Sequence, residues 1–436
     1  MGFEEALTIA VFLVVVVGII LRVVDESVLA LAGLVVIVAL TAYEPGEAFK
    51  AVDWNVIFIL LGMWIITGYL IEAGLAERIT AWAVSRVSSY PLFLFTMCLV
   101  SGFISMFVDN VLVILLLGSI VVEVARRSGR NPVMAVLLIG FSANFMGTAL
   151  LMGDLPPQLL HSVAGAEFLD FIWNRGRPSS FPLLTVTFIL TLALMYLLFM
   201  RRERGRVGLE NIKVEARGSR LLLLVSLAFF AATVVGMAIR PLLGVELGFI
   251  TMTGAALLAL TVEVLRRLGV ESGLPSFERI LQERVEWRAL LFYATLFSLV
   301  GGLKEAGILE AIAERVTPLL NADPVIAYTV FYWVVAAFSY IVEHDALLLT
   351  FLYVVRDASE IAGVDAWPIY WGMAWSATLA SNATVAAAPA LYVAVAIAEK
   401  AGYKVTPREF LKYSLTFSTS SLIIHYIITL PIWGTG

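Results

Sequence analysis

Long apolar runs separated by short polar breaks dominate the chain. Runs long enough to span a bilayer fall near residues 5–21, 27–43, 54–71, 132–163, 182–200, 219–239, 246–265, 288–303, 367–398 and 414–433. A helix needs about 20 apolar residues to cross a hydrocarbon core of roughly 30 Å, so each run predicts one membrane helix. Two further apolar stretches, around 91–125 and 324–355, carry charged residues near their middles. They predict re-entrant hairpins, which enter and leave on one side. Segments 75–89 and 308–320 read as amphipathic interfacial helices that link a scaffold to each hairpin. Glu72 and Lys304-Glu305 then sit at the interfacial ends of the preceding scaffold helices.

Composition agrees with that pattern. Hydrophobic residues make up 61% of the 436 and charged residues 14%, against roughly 45–50% and about 25% in soluble domains. Mean hydropathy is +0.94. A water-soluble fold cannot bury so much apolar surface, whereas a lipid-facing one need not. The net charge of −5 gives no footing for nucleic acid. The single cysteine, Cys98, lies in an apolar run, which excludes a disulfide framework and a Cys-x-x-Cys metal site. The acidic start, Gly2-Phe3-Glu4-Glu5, lacks the basic region of a cleaved leader, so the first run is expected to be the first membrane helix.

Loop charge sets the orientation. With both termini outside, 22 of the 29 Lys and Arg residues fall on the inner side and 7 on the outer, the bias of a cytoplasm-facing surface in a plasma-membrane protein. That count works only if the two charged stretches are hairpins. The basic segment 201–219 is then a cytoplasmic linker between a first repeat, 1–200, and a second, 220–436.

The two halves resemble each other. Val52-Asp53-Trp54 matches Val285-Glu286-Trp287, and Glu72-Ala73-Gly74 matches Glu305-Ala306-Gly307, both at an offset of 233. At 234, Ser105, Val108 and Ser142 match Ser339, Val342 and Ser376. Each half has five crossings and one hairpin. An odd number of crossings turns the second half upside down, which gives the inverted repeat of secondary transporters. The expected fold is therefore an all-α polytopic membrane protein with broken helices at the midplane.

The hairpin tips read Phe107-Val108-Asp109-Asn110-Val111 and Ile341-Val342-Glu343-His344-Asp345. Ionisable groups at membrane depth are costly and face a cavity or a partner. A broken helix follows each tip. The first runs from Ser142 through Asn144, Gly147 and Thr148 to Gly153-Asp154-Leu155-Pro156-Pro157. The second runs from Ser376 through Thr378, Ser381, Asn382 and Thr384 to Pro389. Gly and Pro there free carbonyls for a cation and half-helix N-termini for an anion. Small polar residues of this kind also serve as ordinary helix-packing groups. Asp154 is expected either to cap the second half-helix or to touch the substrate. His161 reads as a loop residue and His425 as a structural one.

The run Ser105-Met-Phe-Val-Asp109-Asn110-Val, with Asn144-Phe-Met-Gly147-Thr148 and Gly153-Asp154-Leu-Pro156-Pro157, resembles the ion transporter superfamily. The similar branch holds arsenite-efflux permeases, the melanosomal P protein and NhaD-type sodium/proton antiporters, with citrate and divalent-anion/sodium symporters more distant. The resemblance implies Asp109 and Asn110 at the first tip, Asn144 and Thr148 on the first broken helix, and Asn382 and Thr384 on the second. It also implies elevator-type movement against a scaffold and a homodimer. Met146, Leu150, Leu155 and Gln158 depart from the branch's pattern, as does the Glu343-His344-Asp345 tip.

Three carboxylates and a histidine around one cavity suit cations or protons. Glu343, His344 and Asp345 are expected to exchange protons during a cycle, and sodium is expected near Asp109, Asn144 and Asn382. The leading expectation is a proton- or sodium-coupled carrier of a small inorganic or organic anion, or of neutral arsenite. Sodium/proton exchange is the alternative, and an ion channel is the alternative of another class. No His-Glu-x-x-His, Gly-x-Gly-x-x-Gly or P-loop pattern supports an enzyme or an ATP-driven pump, and no cofactor is expected beyond Na+ or H+.

Overall fold

The computed structural model describes residues 2–21, 23–87, 89–203 and 218–435, so residues 204–217 of the expected linker lie outside the described residues. The first half contains α1 (Phe3–Leu21), α2 (Glu26–Leu40), α3 (Pro45–Lys50), α4 (Trp54–Glu72), α5 (Leu75–Ser85), α6 (Tyr90–Ser105), α7 (Asn110–Arg127), α8 (Val133–Met146), α9 (Leu155–Ala164) and α10 (Ser180–Leu198). The second contains α11 (Arg220–Ala238), α12 (Arg240–Leu243), α13 (Leu247–Arg267), α14 (Phe277–Arg284), α15 (Trp287–Glu305), α16 (Ile308–Leu320), α17 (Pro324–Ser339), α18 (His344–Ala362), α19 (Trp367–Ser381), α20 (Pro389–Lys400) and α21 (Pro407–Thr429). One two-stranded antiparallel ribbon, Trp173–Asn174 with Arg177–Pro178, is the exception to an all-helical chain among the described residues.

The repeat predicted from residue matches is present element by element. Helices α14–α20 begin 232–234 residues after α3–α9. Both hairpins form, α6 with α7 and α17 with α18, and both following helices break, α8 from α9 and α19 from α20. The amphipathic segments form the separate helices α5 and α16. Among the described residues, six helices are by themselves long and apolar enough to cross a membrane: α1, α4, α10 with the turn after it, α11, α13 and α21 with its C-terminal extension. Four expected spans are not among them: 132–163 and 367–398 are each divided at a break, and two others fall short for a different reason. Helix α2 is 15 residues long, and α15 carries Arg288, Lys304 and Glu305.

The halves pack by exchange. Helix α4 packs on α13 and α2 on α15; α8 meets α20, α9 meets α18 and α19, and α10 meets α21. Every residue of α8 is buried, whereas α1 and α11 leave most of theirs outside. This separates a central body, built of the hairpins and broken helices, from a flanking frame of α1, α2, α4, α11, α13 and α15. Large aromatics stiffen the centre: Trp371 and Trp375 stack at 5.5 Å, and the Trp375 ring meets His425 edge-on at 4.9 Å. At the frame's edge Glu72 pairs with Arg279 and Arg284 of α14.

Candidate functional site

Both tips and both breaks converge. Each tip carboxylate caps the helix that follows it. Asp109 accepts from the Val111 and Leu112 N–H groups, at 2.9 and 3.3 Å. Glu343 accepts from those of Asp345 and Ala346, at 3.0 and 2.9 Å. These N–H groups have no partner within their own helices, so a short acidic residue before each half-helix is what local physics selects. Asp154 does the same for α9 through Leu155. Its other oxygen accepts from Asn110 Nδ2 at 3.0 Å, and the same amide reaches Asn144 Oδ1 at 3.3 Å. Asp154 therefore caps α9, one of its two expected roles, and also lines the cavity.

The breaks are pinned to each other across the halves. Asn144 Nδ2 donates to Ser381 Oγ at 3.0 Å, and the Thr148 and Thr378 hydroxyls lie 2.7 Å apart. Ser180 links this pair to Trp375, donating to the Thr148 carbonyl and accepting from the indole N–H. Two glycines permit the close approach. A Cβ on Gly147 would lie 2.9 Å from the Asp154 side chain. A Cβ on Gly153 would lie 2.4, 2.7 and 3.0 Å from the carbonyl oxygens of Gly147, Ser105 and Met106. Three carbonyls, all from helix C-terminal ends where the dipole is negative, thus converge on one α-carbon.

A cavity of about 370 Å³ opens beside these groups. Of the residues singled out in the sequence, Asp109, Asn110, Asn144, Asp154, Glu343, His344 and Asp345 line it. Thr148, Thr378, Ser381, Asn382 and Thr384 do not. Thr148, Thr378 and Ser381 satisfy the pinning just described, and Thr384 donates to the Tyr340 carbonyl. The expected trio of Asp109, Asn144 and Asn382 is therefore divided, with Asn382 outside the cavity lining; its Oδ1 is buried without a partner. His161 is helical rather than in a loop: it lies on α9, bonded to Asn55 and the Ala166 carbonyl. His425 is buried in α21 against Thr187, as a structural residue should be.

The frame supplies wall residues that sequence reasoning passed over: Asp25, Glu26, Glu286, Arg288, Phe292 and Tyr293. Glu286 was visible only as half of a repeat match, and nothing local marks it as cavity-facing. With these, seven carboxylates line the cavity: Asp25, Glu26, Asp109, Asp154, Glu286, Glu343 and Asp345. Against them stand His344 and Arg288, and Arg288 is paired with Asp25. The frame also meets α9 outside the cavity lining. Asn55 of α4 donates to His161 Nε2 at 2.9 Å and accepts from the Gly248 N–H at 2.7 Å, joining the frame to α9.

A family model described as "Citrate transporter" matches residues 16–376. The chain belongs to the citrate transporter family. The chain is 30% identical to an uncharacterized transporter of Mycobacterium tuberculosis, covering 86% of this chain and 85% of that one. A second uncharacterized transporter of that organism is 28% identical over 92% of each. The human P protein is 23% identical over 83% of this chain, which spans about half (51%) of that longer protein. The fold is similar to that of the Alcanivorax borkumensis YdaH transporter, with a TM-score of 0.58 at 15% identity, covering 88% of this chain and 86% of that one. The family places this polytopic membrane protein among transporters, in the ion transporter superfamily anticipated from the Asp109 and Gly153 motifs.

Proposed function

We propose that the protein is a secondary active transporter that exchanges a small cation, sodium first, for protons through the acidic cavity. One observation carries this reading: among the described residues, seven carboxylates face one arginine that is already paired. Buried carboxylates need cations as partners, and among the described residues an anionic cargo entering alone meets no arginine or lysine on these walls beyond the paired Arg288. Two further features agree. Three of the four half-helix N-termini beside the cavity are already capped by Asp109, Asp154 and Glu343, so their N–H groups are not offered to an anion. The carbonyls gathered at Gly153 are hard oxygen ligands of the kind alkali cations take. The acidic lining thus favours the second of the transport modes expected from the sequence.

A second reading is an anion carried in together with cations. Its support is α20, whose N-terminus has no side-chain cap and reaches the cavity at Ala388, Pro389 and Ala390.

The repeated helix order and the odd number of crossings support an inverted repeat. The charge bias puts Asp25, Glu286 and Arg288 on the cytoplasmic side of a plasma membrane, with both termini outside and the central linker inside. The cavity then opens inward while the Asn55–His161 contact seals the outer face. Transport proceeds by an elevator movement of the central body against the frame, in a homodimer as the family resemblance implies.

The test is reconstitution in liposomes with an internal pH dye. An imposed sodium gradient is expected to drive proton movement, and Asp109→Asn to abolish it while the protein stays folded. Flux of citrate or arsenite without any sodium/proton exchange would replace the first reading with the second.

A further inference from the structure

Within the cavity, the second hairpin tip holds two buried acceptors without hydrogen-bond partners. His344 Nδ1 lies 3.0 Å from the Ala387 carbonyl, which can only accept. Nδ1 therefore carries the proton in the neutral ring, and Nε2 carries a lone pair. That Nε2 is buried without a hydrogen-bond partner, and so is Asp345 Oδ1. The two face each other at 3.5 Å. Two acceptors are thus aimed at one point with no donor between them. A charge-assisted hydrogen bond would draw them to about 2.7–2.9 Å. Two ligands about 2.1 Å from a tetrahedral metal ion stand about 3.4 Å apart. One ligand atom each from Glu343, His344 and Asp345 falls within a mutual spacing of 4.8 Å.

We propose that Glu343, His344 and Asp345 bind a divalent first-row metal ion of the zinc class. The donor set names the class. Two carboxylates balance a charge of +2, and a neutral imidazole nitrogen suits zinc and its neighbours rather than sodium. The supports that orient metal ligands are already in place: the Ala387 carbonyl fixes the histidine tautomer, and backbone N–H groups hold Glu343. The inference rests on the reading that this cavity admits cations. It adds that zinc enters from the open mouth and, once seated, competes with the transported cation.

The test uses tag-free protein in detergent and zinc chloride alone. Calorimetry is expected to show one zinc per chain, and X-ray absorption at the zinc edge to show an imidazole nitrogen in its shell. His344→Gln and Asp345→Asn should each weaken binding at least tenfold. Asp345→Asn leaves the Ala387 contact intact, so it carries the test if His344→Gln does not fold. No zinc bound by the wild type, or undiminished binding in a folded variant, overturns the proposal. Binding is read without any gradient, so the two readings fail separately. Zinc bound by a protein with no sodium/proton exchange removes the exchange function alone, and exchange by a protein that ignores zinc removes the metal site alone.

Discussion

At the residue scale, the chain spends acidic side chains on two tasks at once. Asp109, Asp154 and Glu343 each cap a half-helix, a contact worth about 0.5–2 kcal/mol, and each presents its carboxylate to the cavity. Helix termini in the middle of the molecule would otherwise leave N–H groups bare, so the same residue stabilises the break and charges the site. Glycine does the complementary work. Gly153 leaves its α-carbon open to the carbonyls of Gly147, Ser105 and Met106, where a methyl group would sit 2.4 Å from the nearest oxygen. Gly153→Ala is therefore expected to push the α6 end away from the break and cut exchange at least tenfold in liposomes, with normal expression and a single gel-filtration peak. Exchange at the wild-type rate in this variant would show that the carbonyl cluster has no part in the cycle.

At the element scale, the broken helices act as one body. The Asn144–Ser381 and Thr148–Thr378 contacts join α8 to α19 at their breaks, and α9 and α20 each pack on the other half's hairpin. The frame touches this body unequally. Outside the cavity lining Asn55 ties α4 and α13 to α9 through His161 and Gly248. At the cavity, α15 and α20 both supply wall residues. Interhelical side-chain hydrogen bonds in membranes average about 0.6 kcal/mol, so under the proposed elevator movement the Asn55 contact is strong enough to bias a state and weak enough to release. Asn55→Ala should leave the Gly248 amide without its acceptor. Its hydrogen exchange is then expected to rise several-fold, together with that of the last turn of α9, while the interior of α8 keeps its protection. Unchanged exchange at both places would mean that Asn55 holds nothing shut.

At the scale of the whole molecule, the repeat turns one contact into a prediction of its counterpart. Arg288 follows Asn55 by 233 residues, and Val395 follows His161 by 234. If the halves are equivalent and inverted, the outward-facing state brings the 288 and 395 positions together as 55 and 161 meet here. Cysteines at 55 and 161 are expected to cross-link in the inward-facing state, and cysteines at 288 and 395 only after the body has moved. Either pair, once linked, should stop exchange, and reduction should restore it. Cys98 is buried and does not interfere. Cross-linking of both pairs at once in a single chain would exclude a rigid elevator.

The order of helices, both hairpins, both breaks and the residues at their tips were legible in the chain because each leaves a local mark. A bilayer demands apolar runs of set length, and a half-helix demands a cap, a glycine or a proline at its end. Asp109, Asn110, Asn144, Asp154, Glu343, His344 and Asp345 all carry such marks, and all seven line the cavity. Thr148, Thr378, Ser381, Asn382 and Thr384 carry the same marks and do not line it. A polar side chain on a buried helix either faces a cavity or meets a partner from a distant segment, and spacing along one helix does not distinguish the two. For the same reason Asp25, Glu26, Glu286 and Arg288 were invisible as wall residues. They stand at helix starts in the frame, where charge is common, and only the tertiary arrangement, with α15 packed on α18, puts them on a wall shared with the tips and breaks. The sequence by itself determined a repeated membrane fold with acidic tips, through rules that act within a turn or a span. Tertiary structure alone decided how many carboxylates share one cavity and which frame residues wall it, because both depend on contacts between residues more than a hundred positions apart.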